Sequence, residues 1–190
     1  MGQKHLLELV LSSSLFFAGA GPALAERQAS LQFSIGQMTD NEWGDLFTDW
    51  GSVSFRDATS FGVGGQLEWP VWRLGYIGIE GQALLWVGEQ NHVEFTLPAF
   101  IRTPRPEQVW LPALSYGLGL SYATEPSESE IARTGSSTEL IAHWFIELEF
   151  GNAETRLRPY LRLHHRSDAG GFFDADTGSN VLMVGLRRPF

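Results

Sequence analysis

The stretch "ELIAHWFIELEF", Glu139 to Phe150, alternates apolar and polar residues along most of its length. The apolar positions are all even-numbered: Leu140, Ala142, Trp144, Ile146, Leu148 and Phe150. The ionisable positions are all odd-numbered: Glu139, His143, Glu147 and Glu149. Because side chains on a β-strand point alternately to opposite faces of a sheet, this pattern predicts a strand with one apolar and one charged face.

The same alternation recurs in seven further segments of the chain. They are "LQFSI" (31–35), "FGVGGQLEWPV" (61–71), "IGIEGQALLWV" (77–87), "HVEFTLPAFIR" (92–102), "VWLPALSYGLGLSY" (109–122), "RLRPYLRLHHRS" (156–167) and "NVLMVGLRRPF" (180–190). Most are long for strands of a globular protein and reach the length that a tilted membrane crossing needs. We therefore predict an all-β fold, an eight-stranded antiparallel transmembrane β-barrel.

Alternation alone does not decide which face points inward, so a soluble periplasmic barrel that binds an apolar ligand is an alternative. Aromatic residues near the predicted strand ends favour the membrane barrel, in which such residues lie at both interfaces. These are Trp69, Trp72, Trp86, Trp110 and Trp144. The apolar alternation that closes on Phe190 also resembles the C-terminal signature of outer-membrane barrel proteins.

The interior of an eight-stranded barrel is narrow enough for side chains to fill it. We expect a filled polar interior without an open pore, because charged residues on adjacent predicted strands can pair across the sheet. The expected partners are Glu139, Glu147 and Glu149 on the sixth strand and Arg158, Arg162 and Arg166 on the seventh.

The connections between predicted strands differ in length. The first, fifth and seventh connections, near residues 39–60, 124–136 and 168–178, are long and acidic, whereas the second, fourth and sixth are short. The third, near residues 89–91, is also short and is an exception to this pattern. Outer-membrane barrels have short periplasmic turns and longer external loops. The long connections are therefore expected to lie outside the cell.

The N-terminus has the features of a secretory signal: a short basic start, an apolar run and the small residues Ala-Leu-Ala ending at Ala25. We predict a signal peptide at 1–25 and a barrel domain at 26–190. The chain has no cysteine, so disulfides cannot stabilise it. A formal net charge of -9 argues against a nucleic-acid partner, which would favour a basic surface.

The segment "LRLHHRSDAGGFF", Leu161 to Phe173, carries the candidate chemistry. Strand phase places His164 inward, and His165 with Ser167 on the lipid-facing side near the outer end of the seventh strand. Residues two apart on one face lie about 6–7 Å apart at Cα, so a histidine can reach a serine hydroxyl as its general base. The alternative is that both are polar groups at the membrane interface, bonded to lipid head groups or water.

Two motifs, "HRSDAG" (165–170) and "GSNVLMVGLRRPF" (178–190), resemble the PagL-type lipid A 3-O-deacylases. This resemblance implies an eight-stranded outer-membrane barrel that hydrolyses the 3-position ester of lipid A. It makes Ser167 the nucleophile and His165 its general base. The family has Asn after the nucleophile, where this chain has Asp168, and an orienting Glu at the start of the last strand, where this chain has Ser179 and Asn180. The candidates for an orienting or oxyanion group are Asp168, Asp174, Asp176 and Asn180.

The expected partners are lipid A or lipopolysaccharide and the outer membrane of a Gram-negative-type envelope. The histidines do not form a ligand cluster, so we expect no metal site and no cofactor. The departures at Asp168 and Asn180 leave a second hypothesis open, a non-catalytic structural or lipid-binding barrel. The oligomeric state does not follow from the sequence.

Overall fold

The computed structural model describes residues 27–173 and 177–190. The predicted signal peptide and the candidates Asp174 and Asp176 lie outside the described residues. Eight strands are formed: β1 (Gln28–Thr39), β2 (Phe55–Pro70), β3 (Tyr76–Gly88), β4 (Val93–Arg102), β5 (Pro112–Ala123), β6 (Leu140–Phe150), β7 (Arg158–Ser167) and β8 (Gly178–Pro189). Two short helices, α1 (Asp45–Thr48) and α2 (Glu128–Thr134), lie in connections. No described helix is long and apolar enough to cross a membrane.

The strands form one closed antiparallel barrel in chain order. Each strand pairs with the next, and β1 closes the barrel against β8, with Phe33 opposite Leu186. Closure leaves no strand with unpaired backbone groups facing lipid, which is the condition for a sheet to span a membrane. The predicted eight-stranded antiparallel barrel is therefore confirmed.

The apolar face points outward and the charged face points inward. Phe33 and Leu97 expose 60% and 66% of their surface, whereas Glu147 in the sixth strand exposes none. A soluble barrel would show the reverse, because water favours charged groups on the exposed face. The burial pattern therefore matches a transmembrane barrel with a filled polar interior.

An ion-pair network fills the part of the barrel interior that lies beside the C-terminal half of β6. Glu147 pairs with Arg162 at 2.6 Å and with Arg187 at 2.7 Å, and Arg162 also pairs with Glu80 at 2.5 Å. Glu149 pairs with Arg187 in the same network. Groups buried in this way lose their hydration, so their stability depends on keeping every charge paired.

Two expectations about inward and outward residues were wrong. Trp86 does not join an interfacial girdle: its side chain is buried inside and its indole nitrogen donates to Glu94 at 3.0 Å. Glu139 does not enter the interior network, because it precedes β6 in an exposed loop. Glu80 and Glu94 are buried and supply carboxylates to the interior instead.

The two ends of the barrel differ. Residues 40–54, 124–139 and 168–177 connect strands at one end, which we call the long-loop end. Helix α2 lies at this end, and its Ser129 and Glu130 are buried. Glu130 accepts hydrogen bonds from Ser179 at 2.9 Å and Ser137 at 2.7 Å. These bonds join one long loop to the first residues of β8.

At the opposite end the turns comprise residues 71–75, 103–111 and 151–157. Arg105 in the second of these turns is mostly buried. Burial lowers the pKa of its guanidinium, but Glu149 at 2.8 Å and Glu68 at 2.6 Å outweigh this effect and raise the pKa overall. The turn is thus tied to the interior network through a permanent charge.

Candidate functional site

The last residues of β7 and the first residues of β8 build the candidate site at the long-loop end. His165 lies opposite Asn180 on β8 and opposite Trp144 on β6, and Ser167 lies opposite Gly178. These residues share the strand phase of the outward face. The site is therefore on the outside of the barrel wall, where the wall meets the loops.

Asn180 holds the imidazole of His165. The Nδ1 atom of His165 lies 2.7 Å from Oδ1 of Asn180. Because an amide oxygen only accepts hydrogen bonds, Nδ1 carries the hydrogen and the neutral ring has its lone pair on Nε2. This tautomer is the one that a general base needs if the nucleophile lies on the Nε2 side.

The orientation of the Asn180 amide is itself fixed by the first long loop. Its Nδ2 donates to the backbone oxygen of Asn41 at 2.8 Å. A carbonyl oxygen can only accept, so the amide nitrogen must face Asn41 and the amide oxygen must face His165. The loop between β1 and β2 thus sets the tautomer of the histidine through one side chain.

An aromatic stack covers the other side of His165. The ring of Trp144 lies 4.5 Å from the imidazole, centroid to centroid, at an interplanar angle of 33°. Trp43, from the first long loop, contacts Trp144 edge-on at 6.0 Å. This packing leaves His165 only 8% exposed, although its strand phase is the lipid-facing one.

Ser167 ends β7 and is half-buried, and a turn with left-handed backbone follows it. The φ angles of Ala169, Gly170 and Gly171 are 55°, 70° and 87°. Asp168 stabilises this turn, since its carboxylate accepts from the amide of Gly170 at 3.2 Å and of Gly171 at 2.7 Å. The turn also brings the amide of Ala169 to 3.4 Å from Oγ of Ser167.

Of the four candidate orienting groups, the structure describes two, and these two have different surroundings. Asn180 contacts the histidine, whereas the carboxylate of Asp168 accepts from amides of its own loop. Asp174 and Asp176 belong to residues that the structure does not describe. Among the described residues, no group of three or more metal-ligating side chains is arranged to hold a metal ion.

A groove of about 590 Å³ opens over the site. Both His165 and Ser167 line it, together with Trp43, Trp144 and the acidic side chains Asp40 and Glu42. Its lining thus combines two indole rings with polar and acidic side chains. A substrate with apolar chains and a polar head would match such a groove.

Sequence reasoning missed Trp144 and His143 as neighbours of His165, and Asn41 as the partner of Asn180. The alternation in β6 did put Trp144 on the outward face, but only the register between β6 and β7 brings it to His165. His143 faces inward and its Nδ1 lies 3.0 Å from the backbone oxygen of His165. No sequence signal identifies the backbone contact of Asn41.

Comparison with solved structures supports the fold. Neisserial surface protein A (NspA) superimposes with a TM-score of 0.50 at 10% sequence identity, covering 85% of this chain and 97% of that chain. At this identity the likeness concerns the fold only. No curated protein sequence matches the chain.

A family model described as lipid A 3-O-deacylase (PagL) matches residues 47–189. The matched region includes seven of the eight strands and all the residues of β7 and β8 that build the site. The family and the closed barrel together identify an outer-membrane protein. Because the match extends over most of the chain, the protein belongs to the PagL family, as its motifs at 165–170 and 178–190 suggested.

Proposed function

We propose that this protein is a lipid A 3-O-deacylase in which Ser167 is the nucleophile, His165 the general base and Asn180 the group that orients the base. The observation that carries the proposal is the hydrogen bond between His165 Nδ1 and Asn180 Oδ1, at 2.7 Å, on the strand face that His165 shares with Ser167. Family membership supports the reaction class.

In this mechanism Oγ of Ser167 attacks the ester carbonyl carbon at the 3-position of lipid A while Nε2 of His165 takes the hydroxyl proton. The tetrahedral intermediate then collapses. The bond between the acyl carbon and the sugar 3-oxygen breaks, and the imidazolium gives its proton to that oxygen. Water then attacks the acyl-enzyme with His165 again as base. The products are a free fatty acid and lipid A with a 3-hydroxyl group.

The surroundings of the site suit a lipid substrate. An apolar groove of about 610 Å³ lies on β1, β7 and β8, further from the long-loop end than the site. Phe33, Leu161 and Val184 are among the residues that line it. Leu161 lies six residues from Ser167 along β7, or about 20 Å. The groove therefore lies along the barrel wall in the direction that an acyl chain takes when it extends from Ser167 into the hydrocarbon region.

Asn180 takes the place of the family's glutamate in the contact with His165. A neutral amide fixes the ring and its tautomer, which are two of the tasks of the third member of a triad. It supplies no negative charge to the imidazolium. Loss of the third member reduces activity less than loss of the nucleophile or base in at least one well-studied hydrolase. The replacement is thus compatible with catalysis.

Lipid A mass spectrometry tests the proposal. The protein is expressed in a Gram-negative host whose lipid A carries the 3-O-acyl chain, with Ser167→Ala and, as a matched control in another long loop, Ser136→Ala. We expect the wild type and Ser136→Ala to remove one acyl mass and Ser167→Ala to leave lipid A intact. Unmodified lipid A in the presence of folded wild-type barrel would favour the non-catalytic alternative.

A further inference from the structure

The face of Trp144 lies against the imidazole of His165, and we propose that Trp144 stabilises the positive charge that His165 acquires during the reaction. The inference rests on the proposed function, because that function makes His165 the residue that gains a proton. Trp144 acts through His165 and is therefore a positioning residue. It would raise the basicity of Nε2 as well as hold the ring.

The geometry fits a cation–π contact. The ring centroids are 4.5 Å apart with an angle of 33°, and the two residues are direct partners across β6 and β7. Indole has the strongest cation–π attraction of the aromatic side chains at separations below about 6 Å. Because His165 is 8% exposed, little water screens the interaction.

Neighbouring aromatic rings keep Trp144 in place. Trp43 packs edge-on against it at 6.0 Å and 85°, and Tyr116 lies at 6.4 Å and 32°. The indole is half-buried between them. The face that meets His165 is thus present before the charge develops, which is the condition under which such electrostatic stabilisation costs no reorganisation.

The other neighbours of His165 on the strands are polar or titratable groups that could affect the pKa of its imidazole. On β8 its Nδ1 partner is the neutral Asn180. On β6, His143 contacts its backbone oxygen from the interior. His164 and Arg166, its neighbours on β7, are buried on the opposite strand phase.

Among the described residues, carboxylates from two loops lie in the same groove as His165. These are Asp40, Glu42 and Asp168. Asp40 is paired with Arg56 at 2.8 Å, and Asp168 accepts from loop amides. These groups remain when Trp144 is changed, so substitution of Trp144 isolates the contribution of the indole.

The test compares Trp144→Leu, Trp144→Phe and Trp110→Leu. Trp110 is a matched control, 70% exposed in the turn between β4 and β5 at the opposite end. Activity on purified lipid A in detergent micelles is followed from pH 5 to pH 9. We expect Trp144→Leu to lower kcat/KM by about five- to thirty-fold and to move its acidic limb to lower pH by about one unit. Trp144→Phe should lie between it and the wild type.

A second measurement is independent of turnover. The titration of His165 is followed by NMR in the Ser167→Ala background, with and without Trp144→Leu. We expect the imidazole pKa to fall by about one unit when the indole is removed. This titration responds to Trp144 even if Ser167 proves not to be a nucleophile, so failure of the proposed function and failure of this inference are distinguishable.

The inference is overturned if Trp144→Leu is folded and leaves both the acidic limb and the His165 titration at their wild-type positions, whatever happens to the rate. It is also overturned if the titration moves while kcat/KM stays unchanged, or if Trp110→Leu produces the same shift. Should Trp144→Leu fail to fold, the Trp144→Phe variant decides between these outcomes, because it keeps an aromatic ring in the stack.

Discussion

Substitution of Asn180 by alanine removes the hydrogen bond that orients His165. The Nδ1–H group of a residue that is 8% exposed then loses its acceptor at 2.7 Å. Leaving a buried donor unpaired costs about 1–3 kcal/mol. If this cost destabilises the tautomer with its hydrogen on Nδ1, which is the form that can act as the base, kcat/KM decreases by about 5- to 150-fold. Asn180→Asp keeps an acceptor for Nδ1–H and adds a charge, but it loses the donor to the Asn41 carbonyl, so its activity should lie above that of Asn180→Ala.

The assay is release of free fatty acid from purified lipid A in micelles, at equal amounts of folded protein. Folding is checked by the electrophoretic shift between unheated and heated samples, because Asn180→Ala also loses the bond to the Asn41 carbonyl at 2.8 Å. Ser136→Ala serves again as the control. Activity of folded Asn180→Ala within twofold of wild type would refute an orienting role for Asn180.

Two predictions concern the barrel itself. Glu147→Leu removes the carboxylate that Arg162 and Arg187 share, so the buried network loses one negative charge although Arg162 keeps Glu80 and Arg187 keeps Glu149. The free energy of unfolding should fall by about 3–5 kcal/mol, measured by denaturant titration in micelles; a loss below 1 kcal/mol would contradict the importance of the network. Gly75→Ala should cost about 1–3 kcal/mol, because its φ is 111° and a Cβ would overlap the backbone oxygen of Arg102 at the end of β4. Gly81→Ala, with open space around its Cβ position, is the matched control, and an equal effect of both would count against the strain argument.

The sequence contained the information for the fold because a barrel in a membrane imposes a strict period. Each residue of β6 between Leu140 and Phe150 is either lipid-facing or interior, so one stretch of alternation indicates both the strand and its two environments. The same reasoning failed at two residues near strand ends. Trp86 looked like an interfacial aromatic, but it lies on the interior phase of β3 beside Glu94. Glu139 continued the alternation beyond the end of the strand.

The candidate nucleophile and base were also accessible from the sequence, since both lie on one strand and share one phase. The partners of His165 were not. Asn180 was one of four candidates, and choosing among them requires the register of β7 against β8. Register is a property of paired strands and their turns, not of either strand alone.

The tertiary structure alone decided the remaining contacts. Trp144 reaches His165 because β6 and β7 align these two residues, and Asn41 reaches Asn180 because the first long loop bends over the rim of the barrel. The physical reason is that the alternation of residue types shows only which face of the sheet each side chain points to. Position along the neighbouring strand and the course of a loop depend on contacts between residues as far apart in sequence as Asn41 and Asn180.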